Sequence, residues 1–330
     1  MGHNSAAEAI TEAIYKIDKK AAINTVDLIE YMYPSMSDLI YRIFNKVVDK
    51  HPEIYNMIYK ISEKVEIDAK LSGSKTNKKI SALIDMYKPD VIISTIPICA
   101  RTISAYKGLK KIDLPLVTCI TDISLHTEWI APNTDIYLVP TREIKERIIE
   151  NGIDKEKIFI VGVPVRQEFK NNNSKDRIKR ERNILIMGGG LGLLPNLDDI
   201  MYKLDNIQNL TTTIITGTNE KAYHELQGKY RNAEIVGFTD RVSDYMAKAD
   251  FMISKAGGIT LFESIYSETP MFVINPFLAQ EITNAEFIEE NLIGKVIWND
   301  EKDFSDLLLD LIDNESKLNE MKDNMRYIKE

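Results

Sequence analysis

Short apolar runs alternate with helix-like stretches over most of this chain, and that alternation restricts the fold more than any other feature. In the first half the runs begin beyond Asp90, and each has the length of a β-strand. Strands separated by helical segments pair in parallel, because a parallel connection needs a crossover of about a dozen residues or more. The four runs are Val91 to Ile93, Leu116 to Ile120, Ile136 to Val139 and Ile158 to Val161.

A polar, basic stretch from Arg166 to Arg182 interrupts this alternation, and we expect it to be a linker without core residues. A second series of apolar runs follows it. The simplest assembly is an α/β protein with two doubly wound, Rossmann-like domains, residues 1–165 and 183–330, that face each other across a cleft. The runs of the second half are Ile184 to Met187, Thr212 to Thr216, Glu234 to Val236, Phe251 to Ile253 and Met271 to Ile274.

Helical patterns occupy both ends of the chain. Ser5 and Glu8 have the spacing of a capping box, and the small and apolar residues around them repeat with helical period. Residues 27–64 predict short amphipathic helices interrupted by two prolines, without a strand. The charged tail, residues 303–330, is also predicted to be helical, and its last helix has the N-terminal domain as one possible packing partner.

Composition excludes several functional classes. No segment approaches the roughly 20 apolar residues that would cross a bilayer. The formal charge of −8 argues against a nucleic-acid-binding protein, because neutralising phosphates requires a basic surface. Cys99 and Cys119 lack metal-ligand spacing and lie in or beside apolar runs, so we expect buried thiols in a reducing, cytoplasmic compartment.

Two glycine-rich turns follow strand candidates in the second half. The first, at residues 188–192, could bring backbone amides close to a phosphate or a sugar, although a tight turn alone would also explain its glycines. The second contains Gly257 and Gly258 and is followed by a helix start. The amides of Gly258, Ile259 and Thr260 would face an anion such as a diphosphate, which the helix dipole favours.

Polar side chains near the second turn suit a nucleotide. Glu263 offers a carboxylate that can accept two hydroxyl hydrogen bonds, as a ribose would provide, but Thr260 and Glu263 could equally form a capping box. Gln280, Glu281 and Asn284 lie beyond the carboxyl end of the next strand, where open α/β sheets bind ligands. The same three residues are also compatible with a polar helix start.

Motifs in both halves, in the expected order, resemble one family of enzymes. In the second half these are GFTDRV at 237–242, SKAGGITLFESIYSETP at 254–270, and the pair Gln280 and Glu281. In the first half, GHNSAAEAI at 2–10 is similar to a glycine-rich GGGH segment, and Thr121, Asp122, His126 and Trp129 are similar to a TD…H…W segment. The chain thereby resembles, over nearly its whole length, monogalactosyldiacylglycerol synthases and bacterial processive diacylglycerol glucosyltransferases, relatives of the peptidoglycan N-acetylglucosaminyltransferase.

The resemblance implies a GT-B fold and a glycosyltransferase of glycolipid biosynthesis. It implies inverting transfer of a hexose from UDP-glucose or UDP-galactose to diacylglycerol or a related lipid, without a metal or other cofactor. Such an enzyme would be peripheral to the inner face of the cell membrane. The implied donor-binding residues are Gly188 and Gly189 at the cleft, main-chain atoms near Phe238 at uracil, Ser254, Gly257, Gly258 and Thr260 at the diphosphate, Glu263 at the ribose, and Gln280 and Glu281 at the hexose.

Three residues of the first half are implied in catalysis. His3 matches a family histidine that acts near the acceptor hydroxyl, where a base would suit inversion by single displacement. Asp122 and His126 would orient the catalytic group or position the acceptor, or else be structural. In the second half, Lys255 either pairs with phosphate or is simply solvated.

The segment from Ser37 to Lys64 corresponds to the region through which such enzymes meet the membrane. It mixes aromatic, aliphatic and basic residues, as an interfacial surface does, but core helices look much the same.

The chain departs from the family at its start. Relatives begin with an apolar strand that delivers the glycine-rich loop, and this sequence starts inside that loop, so we expect the first strand of the N-terminal domain to be missing. Two alternatives stay open on sequence alone: a UDP-N-acetylglucosamine 2-epimerase-like enzyme and a non-catalytic UDP-sugar-binding protein.

Overall fold

A computed structural model describes residues 2–62, 73–170, 182–188, 197–298 and 304–329. They form two compact units, each of which contains one parallel β-sheet and its helices. The first unit comprises Gly2–Pro164 with the short segment Leu278–Gln280, and the second comprises Val165–Phe277 with Glu281–Glu330. The α/β class with two parallel sheets is confirmed.

The first unit contains a four-stranded sheet whose strand order follows the chain, β1-β2-β3-β4. All neighbours are parallel, and the register pairs Ile93 with Val117 and Cys119 with Leu138. The carboxyl ends of these strands therefore share one edge, where the loop after β2 begins. The strands are β1 Ile92–Ser94, β2 Leu116–Cys119, β3 Ile136–Val139 and β4 Ile158–Ile160.

Helices precede and connect these strands. The first helix begins at Gly2, so Ser5 lies inside it, and the predicted capping box of Ser5 with Glu8 is wrong. The region after Asp27 forms three short helices, as predicted, and the Asp27 side chain caps the first of them. The helices are α1 Gly2–Ile17, α2 Leu28–Met32, α3 Ser37–Lys50, α4 Pro52–Ser62, α5 Ser74–Tyr87, α6 Pro97–Lys110 and α7 Arg142–Glu150, with 3-10 turns at Thr127–Trp129 and Lys155–Lys157.

The second unit contains a six-stranded parallel sheet with the order β10-β9-β8-β5-β6-β7. The chain runs outward from β5 to β7 and then returns to the other side of β5 to form β8. This reversal creates a topological switch point between β5 and β8, and open α/β sheets bind ligands at the carboxyl ends of strands there. The strands are β5 Arg182–Met187, β6 Leu210–Ile215, β7 Ala233–Val236, β8 Phe251–Ser254, β9 Met271–Ile274 and β10 Gly294–Ile297.

The first helix of the second unit, Gln167–Lys170, lies within the stretch predicted to be a linker. Phe169 is fully buried in a four-residue helix, so the expectation that the stretch after Arg166 lacks core residues is wrong at Phe169. Residues 171–181 of that stretch lie outside the described residues. The helices are α8 Gln167–Lys170, α9 Leu197–Leu204, α10 Glu220–Leu226, α11 Val242–Lys248, α12 Gly258–Ser267, α13 Ala279–Glu290, α14 Phe304–Asp313 and α15 Glu315–Lys329.

The tail is helical, as predicted, and its last helix packs on α12. Arg326 and Lys329 of α15 both pair with Glu268, which ends α12, at 2.7 Å. Among the described helices, none has the length and apolar character that crossing a bilayer requires. Cys119 is buried and Cys99 half-buried, both are free thiols, and burial raises the pKa of each to about 12.

Gly294, the first residue of β10, lies too close to β9 to carry a side chain. A Cβ atom there would sit 2.2 Å from the carbonyl oxygen of Met271 and 2.7 Å from Cγ2 of Ile288. Gly294→Ala should therefore displace backbone and lower the free energy of unfolding by about 1–3 kcal/mol, measured by urea denaturation. Gly237→Ala is the matched control, because its Cβ would lie 3.6 Å from a ring carbon of Tyr223. Equal losses in the two variants would contradict the packing argument.

Candidate active site

The N-terminus of α12 presents uncapped backbone amides at the switch point of the second sheet. The helix begins at Gly258 after an extended residue, Gly257, and no side chain caps it. The predicted alternative, a capping box of Thr260 with Glu263, is therefore wrong, since both residues lie within the helix. The first-turn amides of a helix have no intrahelical partner, and the helix dipole favours negative charge beside them. This turn is consequently suited to an anion.

The end of β5 lies beside this turn. The register pairs Met187 with Ser254, so Gly188 and Lys255 are the next residues on neighbouring strands. Gly188 is buried, and Gly189 lies outside the described residues. The Ser254 side chain is also buried, and no described residue hydrogen-bonds to its Oγ. A buried polar atom without a partner costs about 1–3 kcal/mol, so a ligand that supplies a partner would gain from that contact.

The start of α13 adds polar groups on the side of β9. Asn284 is fully buried, and its Nδ2 donates a hydrogen bond of 2.8 Å to the carbonyl oxygen of Ala256, which ties α13 to the glycine turn. Its Oδ1 is a second buried polar atom for which the described residues supply no partner. Gln280 is half-buried and Glu281 buried, both in the first turn of α13. The interpretation of these polar residues as a helix start is confirmed, and their role in ligand binding stays a prediction.

Glu263 is buried on α12, 7% exposed. Burial raises its pKa to about 7, with the charge of Glu168 acting in the same direction and that of Arg166 opposing it. The carboxyl group is therefore close to half-ionised at neutral pH. Hydroxyl groups that donate to its oxygens would favour the charged form.

Arg166 is the neighbour of Glu263 that the sequence analysis missed, because it assigned the residue to a linker. Its Nη2 lies 2.9 Å from Oε1 of Glu168, and its Cζ lies 5.4 Å from the ring centroid of Phe169. No described residue accepts a hydrogen bond from its buried Nε. The signal in the sequence that could have revealed Arg166 was Phe169, an apolar residue in a polar stretch. Because Phe169 is buried, it holds the guanidinium of Arg166 beside the site.

Two further residues of the second unit lie at the same edge of the sheet. Phe238 follows β7 and is 76% exposed. In the sheet order, β7 lies three positions away from β8. Lys255 directly follows β8, and its ammonium lies 5.4 Å from the ring centroid of Phe277. This contact does not decide between the two predicted roles of Lys255, pairing with phosphate or solvation, and both stay predictions.

His3 in the first unit lies in the first turn of α1, on a helix rather than in a loop. Its Nδ1 is 3.1 Å from Oγ1 of Thr121, and its carbonyl oxygen accepts a hydrogen bond of 3.3 Å from Oγ1 of Thr95. Burial lowers the pKa of His3, so its imidazole is neutral at neutral pH. With the proton on Nδ1 donated to Thr121, Nε2 keeps a lone pair. The imidazole also has a hydrogen bond with the backbone of Thr95, which opposes the lowering of its pKa. This arrangement suits a proton acceptor.

Asp122 and His126 belong to the loop that follows β2. Oδ1 of Asp122 accepts a hydrogen bond of 3.3 Å from the backbone N–H of Ser124. His126 is 3% exposed; its Nδ1 accepts from the N–H of Glu128 at 3.1 Å, and its Nε2 donates to the carbonyl oxygen of Tyr59 at 2.9 Å. Because both ring nitrogens are engaged, His126 fixes local structure and has no nitrogen available for proton transfer.

Solved structures share this pair of sheets. MurG of Acinetobacter baumannii superposes with a TM-score of 0.58 at 15% identity and covers 77% of this chain and 74% of that one. A putative UDP-N-acetylglucosamine 2-epimerase from Listeria monocytogenes gives a TM-score of 0.56 at 15% identity, covering 78% and 74%. These likenesses establish the GT-B fold class and nothing more, so they do not favour the epimerase alternative.

Family comparison goes further than the fold. Residues 3–165 match the model of monogalactosyldiacylglycerol (MGDG) synthase, and residues 183–329 match that of the glycosyltransferase family 28 C-terminal domain. The chain is a glycosyltransferase whose two halves match these two families in this order. Proteins named processive diacylglycerol beta-glucosyltransferase from Bacillus cytotoxicus and Bacillus licheniformis are each 29% identical to it. The alignments cover 99% and 92% of this chain and 87% and 79% of those relatives.

The raised pKa of Glu263 makes the stability of the free protein depend on pH. The folded-state value is about 7 against an ordinary 4.5, so the folded protein binds this proton more tightly than the unfolded chain does. The contribution of Glu263 to stability is therefore greatest below pH 4.5 and falls as the pH rises to about 7. Glu263→Gln stays neutral, so it should match the wild type near about pH 4.5 and exceed it by up to about 3 kcal/mol near about pH 8. Parallel pH profiles of urea unfolding for the two proteins would contradict this account.

Proposed function

We propose that this glycosyltransferase moves a hexose from UDP-glucose or UDP-galactose to the hydroxyl of diacylglycerol or a related lipid, with inversion at the anomeric carbon. The names of its relatives support the acceptor class. The observation that carries the donor assignment is the start of α12 at the switch point. No side chain of the described residues caps it, and Oγ of Ser254 and Oδ1 of Asn284 are buried nearby without a hydrogen-bond partner among those residues. A nucleotide diphosphate supplies what these groups lack, namely negative charge and hydrogen-bonding oxygens.

In the proposed complex, the residues Gly257, Gly258 and Thr260 at the start of α12 bind the diphosphate, with the first-turn amides of Gly258 and Thr260 as donors, and Glu263 accepts hydrogen bonds from the ribose. Oγ of Ser254 can donate to a phosphate oxygen, and the nearby Arg166 adds positive charge at this edge of the second unit. As the hexose leaves, charge grows on the departing UDP, and fixed amides stabilise it without having to reorganise. The proposed reaction uses no metal ion or other cofactor. The remaining donor contacts are assigned to Gly188 and Gly189 at the sugar, main-chain atoms near Phe238 at uracil, and Gln280 and Glu281 at the hexose.

His3 is the proposed base of the acceptor side. Its neutral Nε2 takes the proton from the lipid hydroxyl while that oxygen attacks the anomeric carbon, and the bond from the anomeric carbon to the β-phosphate oxygen breaks. One displacement inverts the anomeric centre. Thr121 orients the imidazole through the 3.1 Å contact with Nδ1. In this scheme Asp122 positions the acceptor from the adjacent loop.

The helices α3 and α4 are the proposed contact with the inner face of the membrane. The sequence alone did not decide whether this segment forms an interfacial surface or core helices. The exposure of its apolar side chains favours the interfacial role. Large apolar side chains on both helices are 40–56% exposed, and basic residues lie among them. Such a mixture suits the boundary of a bilayer with anionic lipids. The exposed apolar residues are Leu39, Ile43, Phe44, Ile54, Met57, Ile58 and Ile61, and the basic ones are Arg42, Lys46 and Lys60.

The proposed activity is tested by incubation with diacylglycerol-containing vesicles and labelled UDP-sugars. We expect labelled lipid from UDP-glucose or UDP-galactose. His3→Ala should abolish the product and leave UDP affinity unchanged, because His3 and the donor site belong to different units. Undiminished turnover by His3→Ala would remove the base assignment. Epimerised UDP-sugar without labelled lipid would overturn the transferase proposal.

Two glycines in equivalent local settings allow a direct test of the diphosphate site. Gly257 and Gly73 are both extended N-cap residues, and a Cβ on either would approach only the Oγ1 of the threonine three residues later, at 3.8 Å and 4.0 Å. Gly257→Ala should therefore fold normally, yet its methyl group would occupy the space next to the amides. We expect its affinity for UDP in calorimetry to fall at least about tenfold, or about 1.4 kcal/mol. Gly73→Ala should bind UDP as the wild type does, and equal affinity in all three proteins would place the diphosphate elsewhere.

A further inference from the structure

We propose that Tyr59 is a positioning residue that couples the lipid-facing helix α4 to the loop carrying Asp122, so that contact with a lipid surface orders the acceptor side of the first unit. The proposal deepens the proposed function and rests on it for the nature of the acceptor. Its basis is a set of contacts within the first unit that join α4, the loop after β2 and the first turn of α1. We refer to residues 121–126 as the acceptor loop.

The helix α4 has two distinct faces. Ile54, Met57, Ile58 and Ile61 recur with helical spacing, and each is 40–55% exposed. The half-buried residues of α4 follow the same period on the other side: Pro52, Tyr55, Asn56 and Tyr59. A helix packed in a core would bury its apolar stripe, whereas α4 exposes that stripe and turns its aromatic residues inward. One helix thus presents a lipid-compatible face and a protein-facing face.

Tyr59 contacts the acceptor loop in three ways. Its hydroxyl lies 3.3 Å from Oγ of Ser124, and its ring centroid lies 4.3 Å from that of His126. Its carbonyl oxygen accepts the 2.9 Å hydrogen bond from Nε2 of His126. This bond joins the acceptor loop to the backbone of α4 as well as to its side chains.

The acceptor loop also contacts the residues that are proposed to act in catalysis. The backbone N–H of Ser124, two residues before His126, donates to the carboxylate of Asp122. The adjacent Thr121 is buried and lies 3.1 Å from the imidazole of His3. A shift of α4 at Tyr59 would thus act on the segment that orients both Asp122 and the proposed base.

Aromatic contacts extend this path to the other exposed helix. The rings of Phe44 on α3 and Tyr55 on α4 meet edge to face with centroids 5.9 Å apart, and the rings of Tyr55 and Tyr59 stack with centroids 6.1 Å apart. Such aromatic pairs stabilise a contact beyond the area they bury. Both exposed helices are therefore connected to Tyr59 through side chains rather than through the backbone alone.

Removing a single hydroxyl tests the coupling in the activity assay. Tyr59→Phe loses the contact with Ser124 and keeps the apolar face of α4. We expect the apparent KM for diacylglycerol in mixed phosphatidylcholine–phosphatidylglycerol vesicles to rise about three- to tenfold, with the KM for the UDP-sugar unchanged. Tyr31→Phe is the matched control, because it removes a tyrosine hydroxyl bond, 3.1 Å to the carbonyl oxygen of Lys79, away from the acceptor loop. Wild-type kinetics for Tyr59→Phe, or equal changes in both variants, would overturn the proposal.

Hydrogen exchange tests the same coupling without any turnover. Addition of the same vesicles should slow amide exchange in α4 and in the acceptor loop of the wild type together. In Tyr59→Phe and in Ser124→Ala, which removes the other partner of this contact, we expect α4 to be protected and the loop to exchange as it does without vesicles. The coupling would be overturned if vesicles did not slow exchange in the acceptor loop of the wild type, or if they slowed it there in both variants. A wild type that shows coupled protection but makes no glycolipid would instead refute the proposed function alone.

Discussion

The parallel pairing of β5 with β8 is the constraint on which the second unit depends. It joins two strands that are far apart in sequence, and the register of Met187 with Ser254 brings the turn after each strand to one place on the sheet. Strand β8 ends in a glycine turn, so α12 can begin at once, with its first amides uncapped and directed at that place. The positive end of the helix dipole and the buried hydroxyl of Ser254 then face the same region. The topology thus makes this place suited to an anion before any charged side chain contributes.

Sequence patterns predicted the local structure around the proposed site well, because its signal is local. A strand followed by two glycines and a helix start is visible in a dozen residues, and the glycine turn at Gly257 has the predicted form. The last strand, β10, was not predicted because its four residues include Lys295 and form too short an apolar run. Arg166 was missed for a different reason. Its position beside Glu263 depends on the burial of Phe169 and on the packing of α8 against α12, and no pattern in the polar stretch encodes those contacts.

The two histidines of the first unit show why residue roles are harder to predict than elements. Both belong to motifs that resemble the family, so the sequence could not distinguish His3 from His126. The structure separates them by what their ring nitrogens contact. Both nitrogens of His126 hydrogen-bond to backbone groups, whereas Nδ1 of His3 lies against the hydroxyl of Thr121. Such contacts join residues about 60 to 120 positions apart, a separation that no local pattern carries. The exposure of α3 and α4 could not be predicted from local sequence either, because a core helix and an interfacial helix have similar sequences.

Burial of Glu263 has a consequence for donor binding that follows from its titration. Holding a carboxyl group in a buried helix makes ionisation unfavourable, which is why its pKa lies near 7 in the free protein. In the proposed complex, two ribose hydroxyls donate to this group, and those hydrogen bonds favour the carboxylate over the acid. Donor binding and loss of a proton from Glu263 are then linked, so the affinity for the nucleotide rises with pH through the neutral range. The buried carboxyl group of Glu263 thus lowers the stability of the free protein at neutral pH, and in the proposed complex the same group binds the donor.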